Sequence, residues 1–196
     1  MKSLLGFLTI AMTFIALAQP AQAQVDDPDL LTGGAPVGKR YQFFSGGYAG
    51  AISRTTVSFA GDYKPGSIFI NTAERRLYYV LGNGQAMRYG IGVGRDGFRW
   101  AGVHKVSAKK EWPDWTPPPQ MLRRRPDLPR FMKGGEDNPL GARAMNLGSS
   151  LYRIHGSNEP ETIGQAVSSG CFRMTNADVI DLYERVQIGA TVIVKN

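Results

Sequence analysis

The sequence predicts a mainly β protein, and three observations carry that prediction. Apolar residues alternate with polar ones through a series of short runs, a Gly82-Asn83-Gly84 turn joins two of those runs, and only one stretch has the spacing of an amphipathic helix.

The strands begin near residue 55. Val57 and Phe59 mark the first, Ile68 and Ile70 the second, and Leu77, Tyr79 and Leu81 the third. Gly82-Asn83-Gly84 tolerates the positive φ of a tight turn and returns the chain along residues 87–93 as a hairpin. Residues 103–108, 150–154, the run into Cys171 and residues 191–194 are further strands. The helix is expected over residues 177–186, where Val179, Ile180, Leu182, Tyr183 and Val186 form one apolar face. Thr175 and Asp178 give it a capping-box-like start, and Gly189 ends the stretch.

Residues 112–138 are of another kind. They hold Pro113, Trp115, Pro117-Pro118-Pro119, Arg123-Arg124-Arg125, Pro126, Pro129 and Gly134-Gly135, a composition that defeats regular structure. Long loops in compact domains tend to be lids or binding loops. Trp112 and Trp115 need burial or a ligand face and are the lid candidates, whereas the arginine triplet reads as a solvated surface run.

The first residues predict export. Lys2 supplies a positive start, residues 4–17 are apolar apart from Gly and Thr, and Ala21-Gln22-Ala23 is a small-residue cleavage site, so residues 1–23 read as a signal peptide cleaved after Ala23. Residues 24–54, with Asp26-Asp27-Pro28-Asp29 and Gly33-Gly34, read as a flexible lead-in, and residues 55–196 as one domain. No later segment is long and apolar enough to span a bilayer, and a monomer is expected. The chain is basic, with 23 Lys and Arg against 16 Asp and Glu, of which the leader removes only Lys2. Its charges are spread along the chain, which argues against nucleic acid and for an anionic polymer outside the cytoplasm, such as cell wall.

Export gives the single cysteine its meaning. Cys171 has no partner for an intramolecular disulfide, and an unpaired thiol in an oxidising compartment is either a reactive group or a bridge to another chain. It stands sixteen residues after His155 in Ser168-Ser169-Gly170-Cys171-Phe172-Arg173. A thiolate is the reactive form of cysteine, which a histidine base and a nearby cation both favour. The alternative is a small buried side chain. One cysteine with His104 and His155 makes no zinc spacing, so no metal or other cofactor is expected, and His104 reads as structural. If the strand continues, Arg173 shares the face of Cys171, and strand alternation places Arg153, not Tyr152, on the face of His155. Arg173 either lowers the thiol pKa and clamps a substrate carboxylate or forms a structural ion pair. The amides near Gly170 and Cys171 are oxyanion candidates, and Ser168 is placed to orient the loop. Together His155 and Arg173 predict a thiol pKa below the ~8.5 of free cysteine.

His155-Gly156 followed by Ser168-Ser169-Gly170-Cys171-Phe172-Arg173 resembles the signature of the L,D-transpeptidase catalytic domain, or YkuD domain, of bacterial cell-wall enzymes. Asn138-Pro139-Leu140-Gly141-Ala142-Arg143, Ile163-Gly164 and the helix from Asp178 to Tyr183 are similar to further segments of that family, so the resemblance runs from about residue 57 onward. Two departures stand out. Ser169 replaces a histidine common in the family, and Phe98-Arg99-Trp100-Ala101-Gly102 replaces its Thr-Pro-x-Gly turn. The resemblance implies a mixed β-sheet sandwich with a short helix after the cysteine and a long lid loop. It implies Cys171 as nucleophile, His155 as base and the Gly156 carbonyl as the group that orients the imidazole, with Ser168, Ser169, Gly170, Arg173 and Arg153 around the substrate. The implied reaction takes the acyl group of the third-position diamino acid of a peptidoglycan stem peptide and passes it to an amine, on another stem peptide or on an outer-membrane protein, in the periplasm. Carbapenem acylation is implied with it. Water as acceptor makes a carboxypeptidase or endopeptidase instead. A wall-binding module with a vestigial site is the non-catalytic alternative, and it would lack the nucleophile or base that this chain has. A papain-like protease would carry its cysteine first and its histidine far downstream, the reverse of the order here.

Overall fold

The structure is a computed structural model that describes residues 52–196. The signal peptide, its cleavage site and the lead-in up to residue 51 lie outside the described residues. Eleven strands run in chain order as β1 (Thr55–Ser58), β2 (Ile68–Asn71), β3 (Arg76–Gly82), β4 (Gln85–Gly90), β5 (Val93–Gly94), β6 (Gly102–Glu111), β7 (Arg143–Leu147), β8 (Arg153–His155), β9 (Ala166–Ser168), β10 (Phe172–Arg173) and β11 (Thr191–Lys195). Helix α1 (Pro119–Arg124) precedes β7, and α2 (Asn176–Arg185) follows β10.

The hairpin forms where the Gly-Asn-Gly turn predicts it. Asn83 and Gly84 both have positive φ, 50° and 68°, and β3 pairs antiparallel with β4 on either side. The apolar run continuing beyond Gly90 is divided, because β5 leaves β4 and pairs in parallel with β9. Nine strands join in the order β1-β4-β3-β2-β11-β6-β7-β8-β10. The pairs β2/β11 and β8/β10 are parallel and the rest antiparallel, which makes the sheet mixed.

One strand turns this sheet into two layers. β6 is ten residues long and spends Gly102–Lys105 on β11 and Val106–Glu111 on β7, with a register shift between Val106 and Ala108. The two halves then face each other over one core. Ile68, Ile70, Leu77, Val192 and Val194 enter it from the β11 side, and Met145, Leu147, Ile154 and Phe172 from the β7 side, all buried. Val179 and Leu182 of α2 complete it. The helix begins where its cap predicts, with the Thr175 hydroxyl accepting from the Asp178 amide at 3.1 Å.

Residues 112–138 correct the sequence reading. Pro119–Arg124 is helical, and Pro119 fits its first turn because a proline there lacks only an N–H that the helix does not use. The segment builds a small core with Leu140 just beyond it: Trp115, Leu128 and Leu140 are buried, with Met121, Leu122 and Met132 packed around them. Trp115 and Met132 exchange backbone hydrogen bonds at 2.8 Å each. A chain rich in proline thus becomes an ordered flap through tertiary contacts among its apolar residues.

Candidate active site

Strand register assembles the site. In the parallel pair β8/β10, Arg173 lies opposite His155 and Phe172 opposite Ile154. Phe172 points into the core, so Arg173 and His155 point to the other side, and Cys171, one residue before β10, leads into the same face as Arg153 and His155. All four line a cleft of about 290 Å³.

The imidazole is held from behind. His155 Nδ1 lies 2.6 Å from the Gly156 carbonyl oxygen, and because a carbonyl only accepts, Nδ1 carries the ring proton and Nε2 keeps the lone pair. Gly156 is itself fixed, its amide donating to the Arg143 carbonyl at 3.0 Å. Behind it stands Asn176, whose Oδ1 accepts from the Ala142 amide at 2.9 Å and leaves room only for hydrogen at Gly156 and Gly141.

Burial dominates the electrostatics. His155 is 4% exposed, and burial, reinforced by the Arg173 and Arg153 charges, pushes its pKa down to about 3 against a smaller opposing effect of the Gly156 carbonyl. The thiol of Cys171 is driven the other way. Burial raises its pKa, and the Arg153 amide, the Arg153 charge and the Arg173 charge offset only part of the rise. This corrects the expected thiol pKa below that of free cysteine. Sequence proximity to Arg173 does not convey that a carboxylate has already taken that guanidinium: Arg173 Nη1 donates to Glu159 Oε2 at 2.8 Å, with both side chains nearly buried. At rest the site therefore holds a neutral thiol, which donates a long 3.8 Å contact to the Leu151 carbonyl, and a neutral imidazole.

A stability consequence follows from the depressed histidine. Unfolded His155 binds a proton near pH 6.5 and the folded one near pH 3, so its contribution is full above 6.5 and is lost as pH falls from 6.5 toward 3. Urea unfolding at pH 7.5 and pH 5 is expected to show about 2 kcal/mol more loss for the wild type than for His155→Gln. Equal losses in the two proteins would show that the folded imidazole titrates normally.

The other candidate residues divide. Ser168 is buried; its hydroxyl donates to the Cys171 carbonyl at 2.6 Å and accepts from the Gly170 amide at 3.1 Å. That bond corrects the placing of Gly170 among the oxyanion donors, because its N–H is already used. Gly170 instead supplies a φ of +110° and closeness, since a Cβ there would meet the Tyr152 ring at 2.6 Å. The Cys171 amide makes no hydrogen bond among the described residues, which leaves it as the donor next to the sulfur. Ser169 and Arg153 line the cleft. Trp115 lines it as well, but Trp112 does not, a correction to the lid pair. Trp112 starts the flap with φ 39°, its amide bound to the Ala142 carbonyl and 40% of its surface exposed.

Several lining residues escaped the sequence reading. Tyr152 reaches the cleft despite strand alternation, because β8 starts only at Arg153 and alternation does not extend before it. Its ring stacks on Trp100 at 4.4 Å, and Trp100 Nε1 donates to the Gly170 carbonyl at 2.8 Å, so the segment that departs from the family's turn braces the loop before Cys171. His104 packs edge-on against Trp100 at 5.1 Å, away from the cleft lining. Phe98 and Arg124 also face the cleft, Arg124 as an exposed side chain, in keeping with the solvated reading of the arginine triplet. Only the exchange of Thr-Pro-x-Gly for an aromatic segment was a signal, and it did not say where the rings go.

A family model described as the L,D-transpeptidase catalytic domain, YkuD, matches residues 65–194. The chain is 40% identical over 134 residues to the Escherichia coli protein named Probable L,D-transpeptidase ErfK/SrfK, an alignment covering 64% of this chain and 42% of that one. It thus spans less than half the length of this relative. A crystal structure from Brucella melitensis, described as a probable carnitine operon oxidoreductase caia, is 45% identical and matches with a TM-score of 0.50 over 74% of this chain and 94% of the other. The chemistry in that description belongs to that protein. An L,D-transpeptidase from Mycobacterium smegmatis matches with a TM-score of 0.54 over 66% of this chain and 58% of its own, at 15% identity, and so shares the fold. Among the described residues no helix is long and apolar enough to cross a membrane, and no group of three or more His, Cys, Asp or Glu is placed to hold a metal ion.

Proposed function

The chain belongs to the L,D-transpeptidase catalytic domain family, YkuD, and from that premise we propose that it is an exported, cysteine-dependent L,D-transpeptidase acting on peptidoglycan stem peptides. The observation that carries the proposal is the imidazole with its proton held on Nδ1 by the Gly156 carbonyl and its bare Nε2 on the cleft face that Cys171 joins.

The reaction begins from neutral partners. As Sγ of Cys171 attacks the carbonyl carbon of the third residue of the donor, the thiol proton passes to His155 Nε2 and the carbonyl oxygen becomes an oxyanion, stabilised by the Cys171 amide. The elevated thiol and depressed imidazole pKa values keep this transfer from happening in the empty site, so ionisation accompanies bond formation. Collapse breaks the amide bond and returns the proton from Nε2 to the departing amine of the terminal D-amino acid, leaving a thioester on Cys171. An acceptor amine then attacks the thioester, gives its proton to Nε2 and forms the new amide, and Cys171 leaves and recovers its proton. An amine on a second stem peptide yields a cross-link, and an amine on an outer-membrane protein anchors that protein to the wall. Trp115 and Met121 of the flap line the same cleft.

Incubation with a disaccharide-tetrapeptide and no acceptor, followed by intact mass, tests this. The protein is expected to gain the mass of the donor less its terminal residue and to lose it when an amine is added. Absence of both the adduct and the released D-amino acid would overturn the proposal.

A further inference from the structure

The cleft is cationic. Its lining includes Arg124, Arg153 and Arg173 and neither an aspartate nor a glutamate. The three arginines are differently placed. Glu159 pairs with Arg173, and the Arg153 side chain makes, among the described residues, only a 3.5 Å contact to the Leu151 carbonyl. Arg124, from the last turn of the flap helix, makes no ion pair or hydrogen bond among the described residues.

Arg124 is nevertheless held in position. Its guanidinium lies over the Phe98 ring at 5.1 Å, and Arg95 lies over the same ring at 4.6 Å. A ring face attracts one cation through its quadrupole, but two cations on one ring repel each other. The proton affinity of Arg95 is lowered, first by burial and then by the Arg124 charge. A guanidinium fixed through its face keeps its N–H edge available, and that edge matches the two oxygens of a carboxylate, whereas an uncharged carboxamide offers a single acceptor oxygen. Phe98 and Arg124 come from segments 26 residues apart, and their contact ties the flap helix to the segment before β6 at the cleft.

We propose that Arg124 reads a free carboxylate on the donor stem peptide, so that the enzyme discriminates carboxylate-bearing donors from amidated ones. This rests on the reading of the cleft as a stem-peptide donor site.

The test compares a disaccharide-tetrapeptide carrying free side carboxylates with the same compound converted to carboxamides, using the full protein, Arg124→Gln and Arg124→Lys. A charge-assisted hydrogen bond predicts a wild-type preference of about tenfold in kcat/KM for the carboxylate form. Arg124→Gln is expected to bring the ratio close to one through KM, and Arg124→Lys to restore part of it. A wild type without preference, or Arg124→Gln with the preference intact, overturns the proposal. Titration of both donors into Cys171→Ala, with and without Arg124→Gln, separates this from the reaction. If the wild type transfers neither donor but Cys171→Ala binds the carboxylate form more tightly and the added substitution erases the difference, the carboxylate site stands and the transpeptidase reading falls. Binding without preference, or no binding, overturns the carboxylate site itself.

Discussion

Replacing Cys171 with alanine is expected to lower acyl transfer from a tetrapeptide donor by at least about 10⁴-fold, because no covalent route remains once the nucleophile is gone. His155→Ala is expected to fall nearly as far. Sulfur and imidazole act as one unit, and the double replacement should cost little more than either alone. Neither change touches the main core, so the circular dichroism spectrum is expected to be that of the wild type. Serine is the sharper test of the neutral resting state. Cys171→Ser retains a proton for Nε2 to accept but offers a poorer nucleophile, and wild-type transfer by that variant would remove the thioester from the mechanism.

Gly141→Ala is expected to lower stability by about 3 kcal/mol, from the left-handed backbone and the crowding together. Gly141 has φ +62°, and a Cβ there would stand 2.3 Å from Asn176 Oδ1, 2.5 Å from the Ser157 amide nitrogen and 2.7 Å from the Gly156 carbonyl carbon. Two of these neighbours are backbone and cannot swing aside. At this chain length the loss corresponds to about 10 °C in melting temperature. Activity should fall further than stability, because the crowded carbon belongs to the carbonyl that sets the His155 tautomer. Gly135→Ala is the control. A Cβ there meets nothing within 4 Å, and a change below about 0.5 kcal/mol is expected. A melting temperature for Gly141→Ala equal to that of Gly135→Ala would show that the segment yields.

What was legible in the sequence was local. The hairpin followed from Asn83 and its flanking glycines, α2 from its apolar face and Thr175 cap, and the histidine and cysteine from a short motif whose spacing survives folding unchanged. What was not legible depends on chain segments that meet only in the folded state. Glu159 carries no mark as the partner of Arg173, fourteen residues on, although it holds that guanidinium in a nearly buried ion pair. Asn176 looks like an ordinary helix-start residue, although its carbonyl oxygen braces the two glycines behind the imidazole. The rings of Phe98 and Trp100 meet Arg124 and Tyr152 across large gaps in sequence. Burial is the extreme case, since it sets both pKa directions and belongs to no single residue.

The position of β11 has a consequence for how the molecule comes into being. Thr191–Lys195 pairs in parallel with β2, Val192 opposite Ile68, and antiparallel with β6, so it occupies the middle of the nine-stranded order although it follows every other strand in the chain. A chain emerging from its amino-terminal end can close the β3/β4 hairpin early, yet β2 and the first half of β6 remain open edges until residue 195 arrives. Pairing across so many residues is slow, because the intervening loop must be ordered before the contact repays it. The arrangement delays completion of the sheet until β11 has been made, so that the two layers close over their shared core only as a last step.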